Sequence, residues 1–124
     1  MQATVRATVW LVAGIASMLP PLACAQDANA GKQLFGQCSV CHAIDGTNGV
    51  GPSLKGVAGR KAGSVAGFRY SRAMKGSSIV WDDKSLDAYL VDPQKMVPGN
   101  TMPFSGIADA KQRVDLVAYL QTLK

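Results

Sequence analysis

Residues 36–46, GQCSVCHAIDG, place two of the chain's three cysteines and its only histidine within five consecutive positions, Cys38 to His42. On a helical turn, positions i, i+3 and i+4 share one face, so Cys38, Cys41 and His42 are expected to project together. Three chemistries use such a cluster: a redox dithiol, part of a zinc site, and covalent attachment of a haem. The rest of the chain has to choose among them.

At 124 residues the chain is sized for one domain. It opens on MQATVRATVWLVAGIASMLPPLACAQ, with a lone Arg6, an apolar run from Val9 to Leu19, and small residues at Ala23 and Ala25. This predicts a secretory signal peptide over residues 1–25, cut after Ala25, and a mature domain over residues 26–124. A retained membrane anchor is disfavoured because Pro20 and Pro21 interrupt a run already short for a bilayer. Lipidation at Cys24 is disfavoured because Pro21 stands where such sites usually carry leucine.

Cleavage would leave 99 residues and, with Arg6 gone, lower the formal charge from +5 to +4. All eight acidic residues are aspartates, and no basic run reaches five. A nucleic-acid-binding arm is therefore not expected, and basicity alone predicts only attraction to an acidic partner. Cys24 leaves with the signal. A bridge between Cys38 and Cys41 would close too small a loop to act as a structural staple, so their use must be local.

The apolar spacing predicts a first helix from Asp27 or Asn29 through His42, with Leu34, Phe35, Cys38 and Cys41 on one side, ended by Gly46 and Gly49. Residues 47–79 are glycine-rich and predict loop, with one helical turn around Ser71 to Lys75. So long a loop in so small a domain needs something to fold around. Asp82 or Asp83 should start a helix carrying Leu86, Tyr89 and Leu90. Pro93 to Val97 should form a short turn stopped by Pro98-Gly99, and a last helix should run from near Asp109 to the chain end. There is no alternating strand pattern, and the fold class expected is all-α.

A structural zinc ion needs four ligands, and the mature chain offers no Cys or His beyond these three. A redox dithiol normally opens a helix after a strand in a βαβ setting, which the pattern lacks. C-x-x-C-H is the attachment pattern for haem c: two thioether bonds to the cysteines, with the histidine aimed at the iron. Export agrees with it, since haem c is attached after export. A large flat apolar cofactor would also give the glycine-rich loop its missing interior.

A single histidine excludes bis-histidine ligation within a monomer, so methionine is the next candidate. Met102 lies in VPGNTMPFSGI, residues 97–107, between the stiffening residues Pro98 and Pro103, and is favoured over Met96. Met74 and Met96 are expected to be packing residues.

Taken together, QCSVCH, GPSLKGVAGRKAG, GFRYS, WDDKSLDAYLVDP, VPGNTMPFSGI and RVDLVAYLQTL resemble a class I cytochrome c, the small soluble bacterial type close to the mitochondrial protein, across essentially the whole mature region. The resemblance implies the cytochrome c fold, with N- and C-terminal helices packed together and shorter helices and loops around one covalent haem c. It implies attachment at Cys38 and Cys41, with His42 and Met102 as the axial iron ligands. It implies that Pro52 offers its carbonyl to His42, that Arg60, Tyr70 and Trp81 hydrogen-bond the propionates, and that Tyr89 lies near the methionine sulfur. Phe35 or Leu34, with Tyr119, matches the contact between the terminal helices.

Some positions depart from the mitochondrial pattern. Met74 stands in place of an asparagine of the internal water network, Asn100 in place of a propionate-binding threonine, and the loop after His42 is two residues shorter. Gln37, Gly49, Gln94, Thr101, Ala108 and Asp109 replace most of the lysines that ring the haem edge, with Lys95 the main survivor. Weaker electrostatic steering and more apolar contact are expected.

The function implied is that of a monomeric, non-enzymatic, periplasmic one-electron carrier. It would serve redox proteins such as a cytochrome bc-type complex, terminal oxidase, reductase or reaction centre, with no permanent membrane insertion. The alternatives are a haem peroxidase or ligand sensor, against which the lack of a second histidine counts, and a domain working only within a larger membrane complex.

Overall fold

The computed structural model describes residues 25–124. The predicted signal segment and Cys24 lie outside this range, Ala25 excepted. Among the described residues five α-helices follow one another: α1 Ala28–Leu34, α2 Arg72–Lys75, α3 Asp83–Val91, α4 Pro93–Met96 and α5 Ala110–Leu120. There is no strand among the described residues, only one isolated antiparallel bridge between Lys61 and Val80.

The helix starts follow from their caps. Asp27 accepts from the Asn29 and Ala30 backbone N–H groups ahead of α1, and Ser71 accepts from Met74 N ahead of α2. Asp82 and Ser85 form a reciprocal capping box on α3. Asp92 caps α4, which has Pro93 at its first position, and Asp109 caps α5. Each side-chain oxygen satisfies a backbone N–H that the helix itself leaves unpaired.

Two expectations need correction. The first helix does not continue through His42: α1 stops at Leu34, and a 3₁₀ turn, Phe35–Gln37, leads into the cysteine segment. Gly36 is a weak helix former, and over a single turn the i, i+3, i+4 pattern does not distinguish the two helix types. The last helix ends at Leu120, four residues short of the terminus. Leu123 turns back into the core, and its carbonyl accepts from Gly56 N at 2.8 Å.

The two ends of the domain meet where α1 crosses α5. A Cβ placed on Gly31 would lie 1.9 Å from the Asp115 carbonyl oxygen and 2.9 Å from Tyr119 Cβ, so only glycine permits this approach. One turn on, Phe35 packs on Tyr119 with ring centroids 5.2 Å apart, which selects Phe35 over Leu34 for the aromatic half of the contact. The buried Asp115 carboxylate accepts from Asp27 N at 2.9 Å and pairs with Lys111. Behind the crossing, Leu116 is fully buried among Val117, Leu120, Leu86 and Leu90. Burying a side chain of this kind stabilises by about 1.5–3 kcal/mol.

α3 is tied to α5 by Arg113, whose Nε donates to Asp87 at 2.8 Å while its Nη1 donates to the Ile107 and Ala108 carbonyls. The middle of the chain is held by single backbone bonds: Leu54 N to Ala43 O, Gly59 N to Trp81 O, Ala62 N to Ile79 O and Trp81 N to Arg60 O. These bonds make the glycine-rich stretch a wall facing the helices.

Candidate cofactor site

The 3₁₀ turn hands over to a further turn in which Cys41 N and His42 N both donate to the Cys38 carbonyl, at 3.1 and 3.0 Å. Cys38, Cys41 and His42 therefore do face one cavity, although the continuous helix that was expected to present them is absent. Both thiols are free and half-buried, and burial pushes the Cys38 thiol above its ordinary pKa.

His42 is fixed from behind. Its Nδ1 lies 2.7 Å from the Pro52 carbonyl; the carbonyl can only accept, so the proton sits on Nδ1 and the Nε2 lone pair is left available. Gly51 covers the ring: a Cβ there would stand 2.6 Å from Cε1 and 2.8 Å from Nδ1. Gly51 N in turn donates to the Cys41 carbonyl at 2.8 Å, so the segment that cradles the histidine is bonded to the segment that carries it.

All nine residues singled out from the sequence, Cys38, Cys41, His42, Pro52, Arg60, Tyr70, Trp81, Tyr89 and Met102, line this cavity. Met74 joins them on the wall, whereas Met96 packs against the core and does not reach it. Tyr89 donates its hydroxyl to the Met102 sulfur at 3.5 Å and packs on Trp81 with centroids 5.0 Å apart. Burial pushes the Tyr89 pKa up to about 12, so the hydroxyl keeps its proton at any physiological pH. Tyr70 accepts from Val65 N at 3.1 Å and stands edge-on to Phe68. Arg60 is half-buried and donates to the Lys55 and Ser53 carbonyls at 2.9 and 3.0 Å, so it is not a freely solvated charge.

Ser53 is not singled out by the sequence reasoning, and Asn100 enters it only as a departure from the family pattern. The buried Ser53 hydroxyl accepts from Gly46 N and Lys55 N and donates to Ala43 O, binding the loop after His42 to itself. The buried Asn100 places its side chain between α4 and Met102. Of the six positions at which the resemblance implies lysines, two make side-chain bonds within the fold. Gln94 donates to the Asn100 carbonyl, and Asp109 caps α5.

The arrangement suits a flat apolar group bearing a soft metal. The cavity walls are Leu54, Val57, Phe68, Trp81, Leu86 and Leu90, and no buried side-chain N or O among the described residues lacks a partner. Two thiols, one imidazole nitrogen and one thioether are the donors offered, a set that matches covalent haem better than a hard cation. Among the described residues no further Cys or His stands beside Cys38, Cys41 and His42, and no carboxylate lines the cavity, so a structural zinc ion would lack its usual fourth ligand there.

Comparisons with known proteins agree with this geometry. The family profile described as cytochrome c matches residues 28–124. The chain is 48 % identical to cytochrome c of Euglena viridis over 100 residues, covering 79 % of this chain and 98 % of that one. It is 46 % identical to cytochrome c2 of Rhodoblastus acidophilus over 102 residues, covering 81 % and 95 %. Among solved structures, cytochrome cH from Methylobacterium extorquens is 48 % identical, with a TM-score of 0.75 over 77 % of this chain and 98 % of that chain.

Proposed function

The chain belongs to the cytochrome c family, and from that premise we propose that it is a periplasmic one-electron carrier with His42 and Met102 as axial ligands to its covalent haem c. The observation that carries this reading is the convergence of Cys38, Cys41, His42 and Met102 on one cavity. When bound, haem c supplies a ferric–ferrous couple that takes up and releases one electron. Cys38 and Cys41 would hold it by thioether bonds. Pro52 keeps the His42 proton on Nδ1, so that Nε2 is the donor. Tyr89 would hold the Met102 sulfur in place, and Leu54, Val57, Leu86 and Leu90 would give the group an apolar seat.

In this proposal residues 1–25 are removed as a signal peptide and residues 26–124 form the carrier. No helix among the described residues is long and apolar enough to cross a membrane. The partners would be redox proteins such as a cytochrome bc-type complex, a terminal oxidase, a reductase or a reaction centre. They would dock at a rim where Gln37, Val50, Thr101 and Pro103 are exposed and uncharged, beside the exposed Val40. An uncharged rim that mixes polar and apolar side chains suits brief encounters.

The test is carbon monoxide binding to the reduced holoprotein at neutral pH, with a redox titration. A carrier with both axial positions held by protein binds carbon monoxide slowly or not at all and titrates as a single one-electron couple at positive potential. Rapid binding would overturn the carrier reading in favour of a peroxidase or ligand sensor.

A further inference from the structure

Asn100 is one of three buried polar or charged side chains among the described residues, 6 % exposed. Its Nδ2 donates to the Pro93 carbonyl at 2.8 Å and to the Val97 carbonyl at 2.9 Å. Its Oδ1 accepts from Met102 N at 2.9 Å. One amide therefore joins the first residue of α4, the residue after its last, and the backbone of Met102. Its own carbonyl is held by Gln94 at 2.8 Å.

Besides Asn100 and Tyr89, the loop holds Met102 through Phe104 N, which donates to the Met102 carbonyl at 3.0 Å. Pro98 and Pro103 carry no N–H, and the short α4 ends without a left-handed glycine directly after it: Val97 is its cap, with φ −129°. The Pro93 and Val97 carbonyls already accept from Val97 N and Asn100 N, at 3.0 and 3.1 Å, and the Asn100 amide adds a second donor to each while its oxygen takes Met102 N. An asparagine side chain supplies two donors and one acceptor at once. Serine and threonine have a single donor, and aspartate would turn a carboxylate on two carbonyl oxygens.

We propose that Asn100 is the positioning residue for the Met102 sulfur: by splinting α4 to the Met102 backbone, it sets how often the sulfur leaves the cavity wall and so how open the sixth iron position is to other ligands. This rests on Met102 being the axial donor. Met102 is then restrained at three atoms, its N by Asn100, its carbonyl by Phe104 N and its sulfur by Tyr89, and of these Asn100 alone ties it to α4.

The probe is imidazole added to the ferric holoprotein and followed by absorbance, alongside each protein's denaturant midpoint. Asn100→Ala should bind imidazole about tenfold or more tightly than the parent, since losing a buried hydrogen bond shifts an opening equilibrium by about that factor. Asn100→Thr, which keeps an acceptor for Met102 N, should fall between them and decides the matter if Asn100→Ala does not fold. Leu123→Ala removes a buried side chain that does not line the cavity, and should lower the midpoint with imidazole affinity within about twofold of the parent. Unchanged affinity in the Asn100 variants, or an equal rise in Leu123→Ala, overturns the proposal. If Met102→Ala fails to raise imidazole affinity, the axial assignment falls instead.

Discussion

The Tyr89 hydroxyl donates to the Met102 sulfur at 3.5 Å, across 13 residues of chain folded back through α4 and the proline-flanked loop. A hydrogen bond to a thioether draws electron density from it and makes it a poorer donor to ferric iron. Tyr89→Phe keeps the ring against Trp81 and removes only this bond. The reduction potential should drop by roughly 20–60 mV, the range corresponding to one net hydrogen bond in a one-electron couple. A redox titration showing an unchanged or higher potential would contradict the role given to the hydroxyl.

Gly51→Ala should be poorly tolerated, because its Cβ would stand 2.6 to 3.0 Å from three atoms of the His42 ring. The ring must turn or the 49–52 segment must move, and either loosens the bond from Nδ1 to Pro52. A loss of about 1–3 kcal/mol in unfolding free energy is expected, as for overpacking elsewhere, with an altered haem spectrum. Stability lost with the spectrum unchanged would mean that the segment yields and the histidine does not.

At the crossing of α1 and α5, Gly31→Ala places a Cβ into the Asp115 carbonyl, whereas Gly36→Ala meets nothing within 4 Å. The first should cost about 3 kcal/mol or more, and the second should be neutral or stabilise by up to about 1 kcal/mol. Denaturant titration of the two variants compares them directly. Similar behaviour of the two would remove the basis for the close approach.

Asp115 is held below its usual carboxylate pKa, first by the Lys111 ammonium and then by Asp27 N. A depressed folded pKa gives stability that is present above the unfolded value near pH 4 and is lost as the pH falls through the folded value. Asp115→Asn should therefore lower stability at pH 7 and flatten its decline between about pH 5 and pH 2. The check is the denaturant midpoint across that range, where parallel curves for parent and variant would exclude Asp115 as a source of the acid response.

With an uncharged rim, association with an acidic redox partner should respond weakly to salt. The second-order electron-transfer rate with a bc-type complex should fall less than about threefold between about 10 and 100 mM salt. A tenfold fall in stopped-flow measurements would place the steering charges nearer the rim than Lys95.

Much of this site was legible because its parts are local in sequence or fixed by chemistry. Cys38, Cys41 and His42 are neighbours, and a lone histidine beside few methionines leaves little choice of ligands. Helix starts were legible wherever an aspartate or serine precedes the helix. What stayed hidden depended on partners far along the chain. Gly31 looks like a weak helical position until Asp115 is set against it. Asn100 looked like a departure from a family pattern. Its clue was an amide following Pro98-Gly99 and two residues before a methionine, where asparagine commonly bonds nearby backbone. The end of α1 was misjudged because α and 3₁₀ turns repeat apolar positions alike over so short a span.

The crossing of α1 and α5 also sets an order of events in time. Asp27 and Asp115 are joined across 88 residues, and α1, seven residues long, is too short to persist by itself. On the export expected from residues 1–25, α1 crosses the membrane first and has no partner until Asp115 follows it. Throughout that interval the turn carrying Cys38 and Cys41 has no α5 to pack against. The thiols are thus most accessible to covalent modification before the last helix arrives, and the exported chain keeps its reactive segment open until its own C-terminus closes it.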